Sequence, residues 1–136
     1  MHYKMRDQIR FKIGKEEKNI QEKWIEIPEG TEHIQMMIEM PEEFRYMAFL
    51  FLEDPKKEIR FQKLLGYGQQ NPGIGKSTKD TTIGGVPGEI YPGTWKIGIG
   101  IFTEYVAQKL GEQTGEIVLT VSDRKDVVSD PIGGEC

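Results

Sequence analysis

Trp95-Lys96-Ile97-Gly98-Ile99-Gly100-Ile101 sets large apolar residues at every second position, separated by Lys or Gly. In an extended chain, successive side chains point to opposite faces, so Trp95, Ile97, Ile99 and Ile101 share one face. A helix would scatter the same residues around its circumference. The stretch therefore predicts a strand with one buried face. Just before it, Tyr91-Pro92-Gly93 reads as a turn, because Pro fixes φ and Gly tolerates positive φ. Gly98 and Gly100, on the opposite face from Trp95, leave space for another backbone or a large side chain to approach.

The same period recurs on both sides. Ile9, Phe11 and Ile13 alternate with Arg10 and Lys12; Ile25 and Ile27 alternate with Trp24 and Glu26. Ile34, Met36, Ile38 and Met40 alternate with His33, Gln35, Met37 and Glu39, and Pro41 ends the run. Ile117, Leu119 and Val121 close the series. Residues 46–52 are apolar without a break, as expected for a strand covered on both faces, and residues 59–64 return as its neighbour after Asp54-Pro55. Helical signals are weak: residues 15–23 are polar with only Ile20 and read as a loop, and residues 41–45 suit one turn. Composition points the same way, with 16 Ile against 6 Leu and 2 Ala, a bias toward pleated, β-branched packing.

The prediction is an all-β fold, an antiparallel, jelly-roll-like β-sandwich of about eight strands. Residues 1–122 are assigned to a single sandwich domain and residues 123–136 to a C-terminal extension. The expected core holds Ile25, Ile27, Phe49, Phe51, Trp95, Ile97, Ile99, Ile117 and Leu119. Residues 65–92 form the longest stretch without clear period, a loop expected to fold over one face with a mobile tip at residues 69–79.

Charge and cysteine usage narrow the function classes. The net charge of −4 leaves a phosphate-backbone partner only a local patch to engage, so no nucleic acid partner is expected. The longest apolar run is about a third of a membrane span, and the charged first residues lack an apolar core. No membrane association and a cytoplasmic location are therefore expected. Cys136, the single cysteine, supports neither an intrachain disulfide nor a cysteine zinc site.

Catalytic motifs fail on inspection. Gly75-Lys76-Ser77 ends like a phosphate-binding loop, but Gln70 stands where the first Gly is required, and the Gly- and Pro-rich residues that follow do not suit the helix such a loop needs. His2 and His33 are isolated, with His33 expected to be solvated on a strand face. Asp123, Asp126 and Asp130 lack the spacing of a calcium loop. Ser77, Ser122 and Ser129 do not occur in G-x-S-x-G. No catalytic, cofactor-binding or metal-binding residue is assigned, and no cofactor is expected. Large aromatics offer the remaining option: Trp24, out of phase with Ile25 and Ile27, and Tyr67, Tyr91 and Phe102 are candidates to stack on a sugar ring.

Residues 84–100, Gly-Gly-Val-Pro-Gly-Glu-Ile-Tyr-Pro-Gly-Thr-Trp-Lys-Ile-Gly-Ile-Gly, resemble a stretch in the N-terminal β-sandwich module of PHP-type (polymerase and histidinol phosphatase domain) metallohydrolases. Phe49-Leu50-Phe51-Leu52-Glu53-Asp54-Pro55 is similar to that module's apolar strand and Asp-Pro turn. Ile25-Glu26-Ile27-Pro28-Glu29-Gly30-Thr31 is similar to its opening strand. Pro92-Gly93-Thr94-Trp95 also resembles the last strands of pre-peptidase C-terminal sandwich domains. The departures are that Gly84-Gly85 replaces the more usual Pro-Gly, and that the 136 residues hold no His-x-His.

The resemblance implies a non-catalytic accessory or interaction module. Its partner would be a catalytic metallohydrolase domain in cis or another protein subunit, with a homo-oligomer also open. The chain would be either a piece of a longer phosphoesterase or a stand-alone relative. The alternative is a sandwich that binds carbohydrate or another small ligand. The candidate contact surface is Tyr67, Tyr91, Pro92, Gly93 and Trp24.

Overall fold

A computed structural model describes residues 5–66, 70–111, 114–125, 128 and 130–133. Strands form where the apolar period is two: β1 (Arg6–Ile13), β2 (Ile20–Ile27), β3 (Ile34–Glu39), β4 (Phe49–Glu53), β5 (Ile59–Leu64), β6 (Gly73–Ile74), β7 (Gly93–Gly100) and β8 (Gly115–Ser122). They make two four-stranded sheets, ordered β1-β8-β3-β6 and β2-β7-β4-β5, with antiparallel pairing throughout. Only the β4–β5 connection stays within one sheet; all others cross to the opposite sheet. That connectivity is a jelly roll, as the alternating pattern predicts.

The inner faces meet in one core. Phe11, Ile13, Met36, Ile38, Ile117 and Leu119 from the first sheet face Ile27, Leu50, Leu52, Trp95, Ile97 and Ile99 from the second. The Tyr91 carbonyl accepts a 2.7 Å hydrogen bond from the Trp95 indole N–H. This bond ties the turn to the core strand, and Gly93 sits there at φ +126, as its place in the turn requires.

In β4 the inward parity differs from expectation. Leu50 and Leu52 are fully buried, whereas Phe49 is exposed and Phe51 half-buried on the outer face. An unbroken apolar run carries no parity of its own. Here it is set across the sheet, where Leu50 pairs with Ile99 and Leu52 with Ile97. Phe51 lies over Gly98, where a Cβ would stand 1.9 Å from the ring. The space that Gly98 leaves is thus filled by an aromatic side chain on the outside.

Three further expectations are corrected. Residues 20–23 belong to β2, because Ile20 through Lys23 pair with Gly100 through Ile97. The strand signal was hidden by polar residues that face solvent on an outer strand. Residues 70–79 do not form a free tip. Pro72 and Gln70 carbonyls accept hydrogen bonds from the Met36 and Ile38 amides, and β6 closes the sheet edge with Ile74 fully buried. Two residues are too few to display a period. Finally, a short helix, α1 (Thr103–Leu110), follows β7. Val106 buries against the core and anchors it.

Residues 84–86 cover the free edge of β5, where Gly84 accepts from the Gln62 amide and Val86 donates to the Arg60 carbonyl. Such coverage removes an exposed strand edge. The C-terminal segment adds a layer over this loop, with Ile83 donating to Asp130 and Ile132 to Thr81.

His33 is buried, at 6% exposure, and not solvated as expected. The Gln35 Nε2 amide donates to the Asn71 carbonyl at 3.0 Å, so Gln35 Oε1 is the acceptor facing His33 Nε2 at 2.9 Å. That assigns Nε2 as the protonated ring nitrogen. Burial lowers the His33 pKa below its ordinary value of 6.5; the Gln35 bond and the Asp80 charge oppose this, and Lys125 reinforces it. The folded chain therefore holds His33 neutral while the unfolded chain takes up a proton near pH 6.5. The resulting stability is complete above that pH and is lost as pH falls through it toward the lower folded value. Urea melts at pH 7.5 and 5.5 should show a larger loss for the native chain than for His33→Gln. Equal losses would remove His33 as the cause.

Candidate functional site

The outer face of the β2-β7-β4-β5 sheet carries the most unusual surface. Register aligns Ile20, Gly100, Phe49 and Leu64 in one row across all four strands. Strand alternation turns this row outward, because Ile25, Ile99, Leu50 and Leu65 occupy the inward parity. Gly100 makes the row concave: a Cβ there would meet nothing within 4 Å. Two segments raise walls around it. Tyr46 and Met47 come from the connection into β4, and Ile101, Phe102 and Tyr105 from the entry to α1. The result, with Asn19 at its margin, is a cleft of about 590 Å³.

Its walls are held by backbone bonds. The Tyr46 amide donates to the Leu65 carbonyl at 2.7 Å, and Ile101 donates to Asn19 at 2.8 Å. Six of the eleven large exposed hydrophobic residues among those described line this cleft: Ile20, Tyr46, Phe49, Leu64, Phe102 and Tyr105. Phe102 is 72% exposed. Single exposed apolar residues are ordinary, but a contiguous group marks a contact surface. The neighbouring rim carries acid, with Glu42, Glu43 and Glu104 exposed and Arg45 paired with Glu42 at 2.8 Å.

Toward the other end of the same face the chemistry changes. Lys96 bonds Glu22 at 2.9 Å and lies 3.6 Å from Glu53. The Glu22 carboxylate, with Glu53 beside it, holds the Lys96 ammonium above its usual pKa. Beyond this cluster Trp24 is 61% exposed and lines a shallow pocket of about 250 Å³ with Glu53, Asp54, Lys57, Thr94 and Lys96.

The expected contact residues are only partly gathered. Trp24 and Gly93 lie at the same end of the sheet, since Trp24 pairs with Lys96 and Gly93 with Ile27. Pro92 is exposed. Tyr91 is half-buried, and the Lys56 ammonium sits over its ring at 4.1 Å, so one ring face is already covered. Tyr67 lies outside the described residues. The apolar cleft is not visible in the sequence, where Ile20 reads as part of a loop and Phe49 as core. A usable signal is present in Thr103-Glu104-Tyr105-Val106-Ala107-Gln108-Lys109-Leu110, where five of eight residues (Glu104, Ala107, Gln108, Lys109 and Leu110) are good helix formers.

Among the described residues no group of three or more His, Cys, Asp or Glu is gathered as for a metal. No helix among them is long and apolar enough to cross a membrane. Directly after Ser77 the chain makes a three-residue 3-10 turn, Thr78–Asp80, and not the helix that a phosphate-binding loop needs. Compared with models of known protein families and with curated proteins, the sequence finds no match.

Proposed function

We propose that this chain is a non-catalytic interaction module that docks a protein partner through the apolar cleft beside α1. The observation that carries the reading is the concentration of Ile20, Phe49, Leu64, Phe102 and Tyr105 around Gly100. Covering such side chains gains roughly 25 cal/mol per Å² of apolar surface removed from water. The acidic rim favours a partner whose apolar contact is flanked by Lys or Arg. The resemblance of residues 84–100 to the PHP-associated sandwich supports a metal-dependent phosphoesterase as that partner, in cis or as a separate subunit. Within that block, Trp95 and the Tyr91 carbonyl serve the fold, so the docking role rests on other residues.

A second reading has its own observation. Trp24 presents an exposed ring beside Glu53, Lys57 and Thr94, a combination of stacking face and hydrogen-bonding groups suited to a sugar.

One experiment separates the two. The immobilised chain should retain a phosphoesterase from extract of its source cells, and the Phe49→Lys/Leu64→Lys variant should not. Both positions are solvent-exposed, so the double variant should melt close to the native chain. Equal retention by both proteins, or retention of no hydrolase by either, overturns the docking reading. Binding to immobilised oligosaccharide that is lost in Trp24→Ala would establish the second.

A further inference from the structure

Histidine is the side chain whose charge changes near neutral pH, and the buried His33 sits where three segments meet. Gly73 and Gly75 make a slot for its ring. A Cβ at Gly73 would lie 2.9 Å from Cε1 and Nε2, and one at Gly75 would lie 3.2 Å from Nδ1. The C-terminal segment closes the slot: Val128 Cγ2 stands 3.1 Å from the same Gly73 position, so its side chain and the imidazole are neighbours. The third segment is the 3-10 turn at Thr78–Asp80. Asp80 Cβ is 2.7 Å from the Gly75 position that Nδ1 also approaches, and the Asp80 charge acts on the ring.

Asp80 is also where the C-terminal segment is fastened. Its carboxylate accepts from Ser77 Oγ at 3.1 Å and pairs with the Lys125 ammonium. The same turn takes the Gly133 amide on the Thr78 carbonyl at 3.0 Å, and the adjacent Thr81 carbonyl takes the Ile132 amide at 2.8 Å. The Lys125 bond holds the Asp80 carboxyl below its usual range, so Asp80 stays ionised while His33 titrates.

We propose that protonation of His33 unlatches Lys125, Val128 and residues 130–133 from the sandwich in mild acid. Nε2 already donates to Gln35, so the added proton goes to Nδ1, on the side of Asp80. The imidazolium then competes with Lys125 for the Asp80 carboxylate. It also repels Lys125, whose charge already opposes protonation. Val128 meanwhile shields from water a ring that has become charged, which is costly. Asp80 and Lys125 are the charged groups that act on the ring; Gln35, Gly73, Gly75 and Val128 face it without charge. Release frees the Thr78 and Thr81 carbonyls, a backbone edge open to strand addition. The latch belongs to the sheet of β3 and β6 and does not depend on the docking reading.

The test is an NMR titration of the ¹⁵N-labelled chain from pH 7.5 to 4.5, following the His33 ring and the backbone order parameters. As His33 takes up its proton, the Ile132 and Gly133 amides should fall from about 0.85, typical of rigid backbone, to below about 0.6. The core amides of Ile97 and Leu119 should stay rigid. His33→Gln should keep Ile132 and Gly133 rigid across the whole range. Linkage is reciprocal, so Lys125→Gln and Val128→Ser, which weaken the latch, should each raise the His33 pKa. The native titration decides the question even if a variant fails to fold. The proposal is overturned by a His33 ring that does not titrate by pH 4.5, or by Ile132 and Gly133 staying rigid once it has. The same loosening in His33→Gln, an unchanged His33 pKa in both latch variants, or loss of the whole core at the same pH also overturns it.

Discussion

Trp95→Ala is expected to lower the unfolding free energy by about 3–5 kcal/mol, the range for truncating a large buried aromatic. Trp95 is fully buried among the Ile residues of both sheets. Its loss opens a cavity that neighbouring strands, fixed by their ladders, cannot collapse into. Two further contacts disappear with it. The Tyr91 carbonyl loses its indole donor, and the Arg60 guanidinium loses the ring 5.5 Å from it. Set against a total stability of roughly 5–15 kcal/mol, this is a large fraction. Thermal melting should fall by about 10–20 °C. Trp24→Ala, on the exposed outer face, is the control and should change stability by less than about 0.5 kcal/mol. If the two variants melt together, Trp95 does not organise the core.

Asp54→Ala should be comparably damaging for a different reason. Asp54 is 2% exposed and Arg60 3%, and they face each other at 3.5 Å. Arg60 also donates to the Glu89 and Val86 carbonyls, at 2.7 and 3.2 Å, while its Nη2 has no partner. Removing the carboxylate leaves a buried guanidinium without its counter-charge, which costs about 3–5 kcal/mol. The same carboxylate builds the β4–β5 turn. Its Oδ1 accepts from the Lys56 and Glu58 amides at 2.8 and 3.0 Å, and Lys57 sits between them at φ +69. Asp54→Ala/Arg60→Met removes both charges and should recover part of the loss, giving clear non-additivity in urea melts. A double variant as unstable as the sum of its parts would show that the turn alone, and not the ion pair, matters.

These two residues also show how unevenly sequence reports structure. Trp95 was legible because its period-two neighbours Ile97 and Ile99 place it on a face, and period is a local property. Asp54 was legible only as a turn residue before Pro55. Its role as counter-ion depends on Arg60 folding back under the loop that carries Val86 and Glu89, contacts between 26 and 29 residues apart in the chain. His33 behaved similarly. An isolated histidine beside Gln35 gives no local sign of burial, and its shielding comes from packing against Gly73, where a Cβ would lie 2.9 Å from the ring.

What the chain determines by itself is the fold class: alternating Ile, Phe and Trp, broken by Pro and Gly, point to an antiparallel β-sandwich, because pleat and turn chemistry act over a few residues. Strand parity in the unbroken run at 49–52, the ordering of residues 70–79 and the burial of His33 were decided by tertiary structure. So was the apolar cleft. It needs Ile20, Gly100, Phe49 and Leu64 brought into one row from four strands. Register between distant strands is fixed by the packing of the whole core, which no short window of sequence contains.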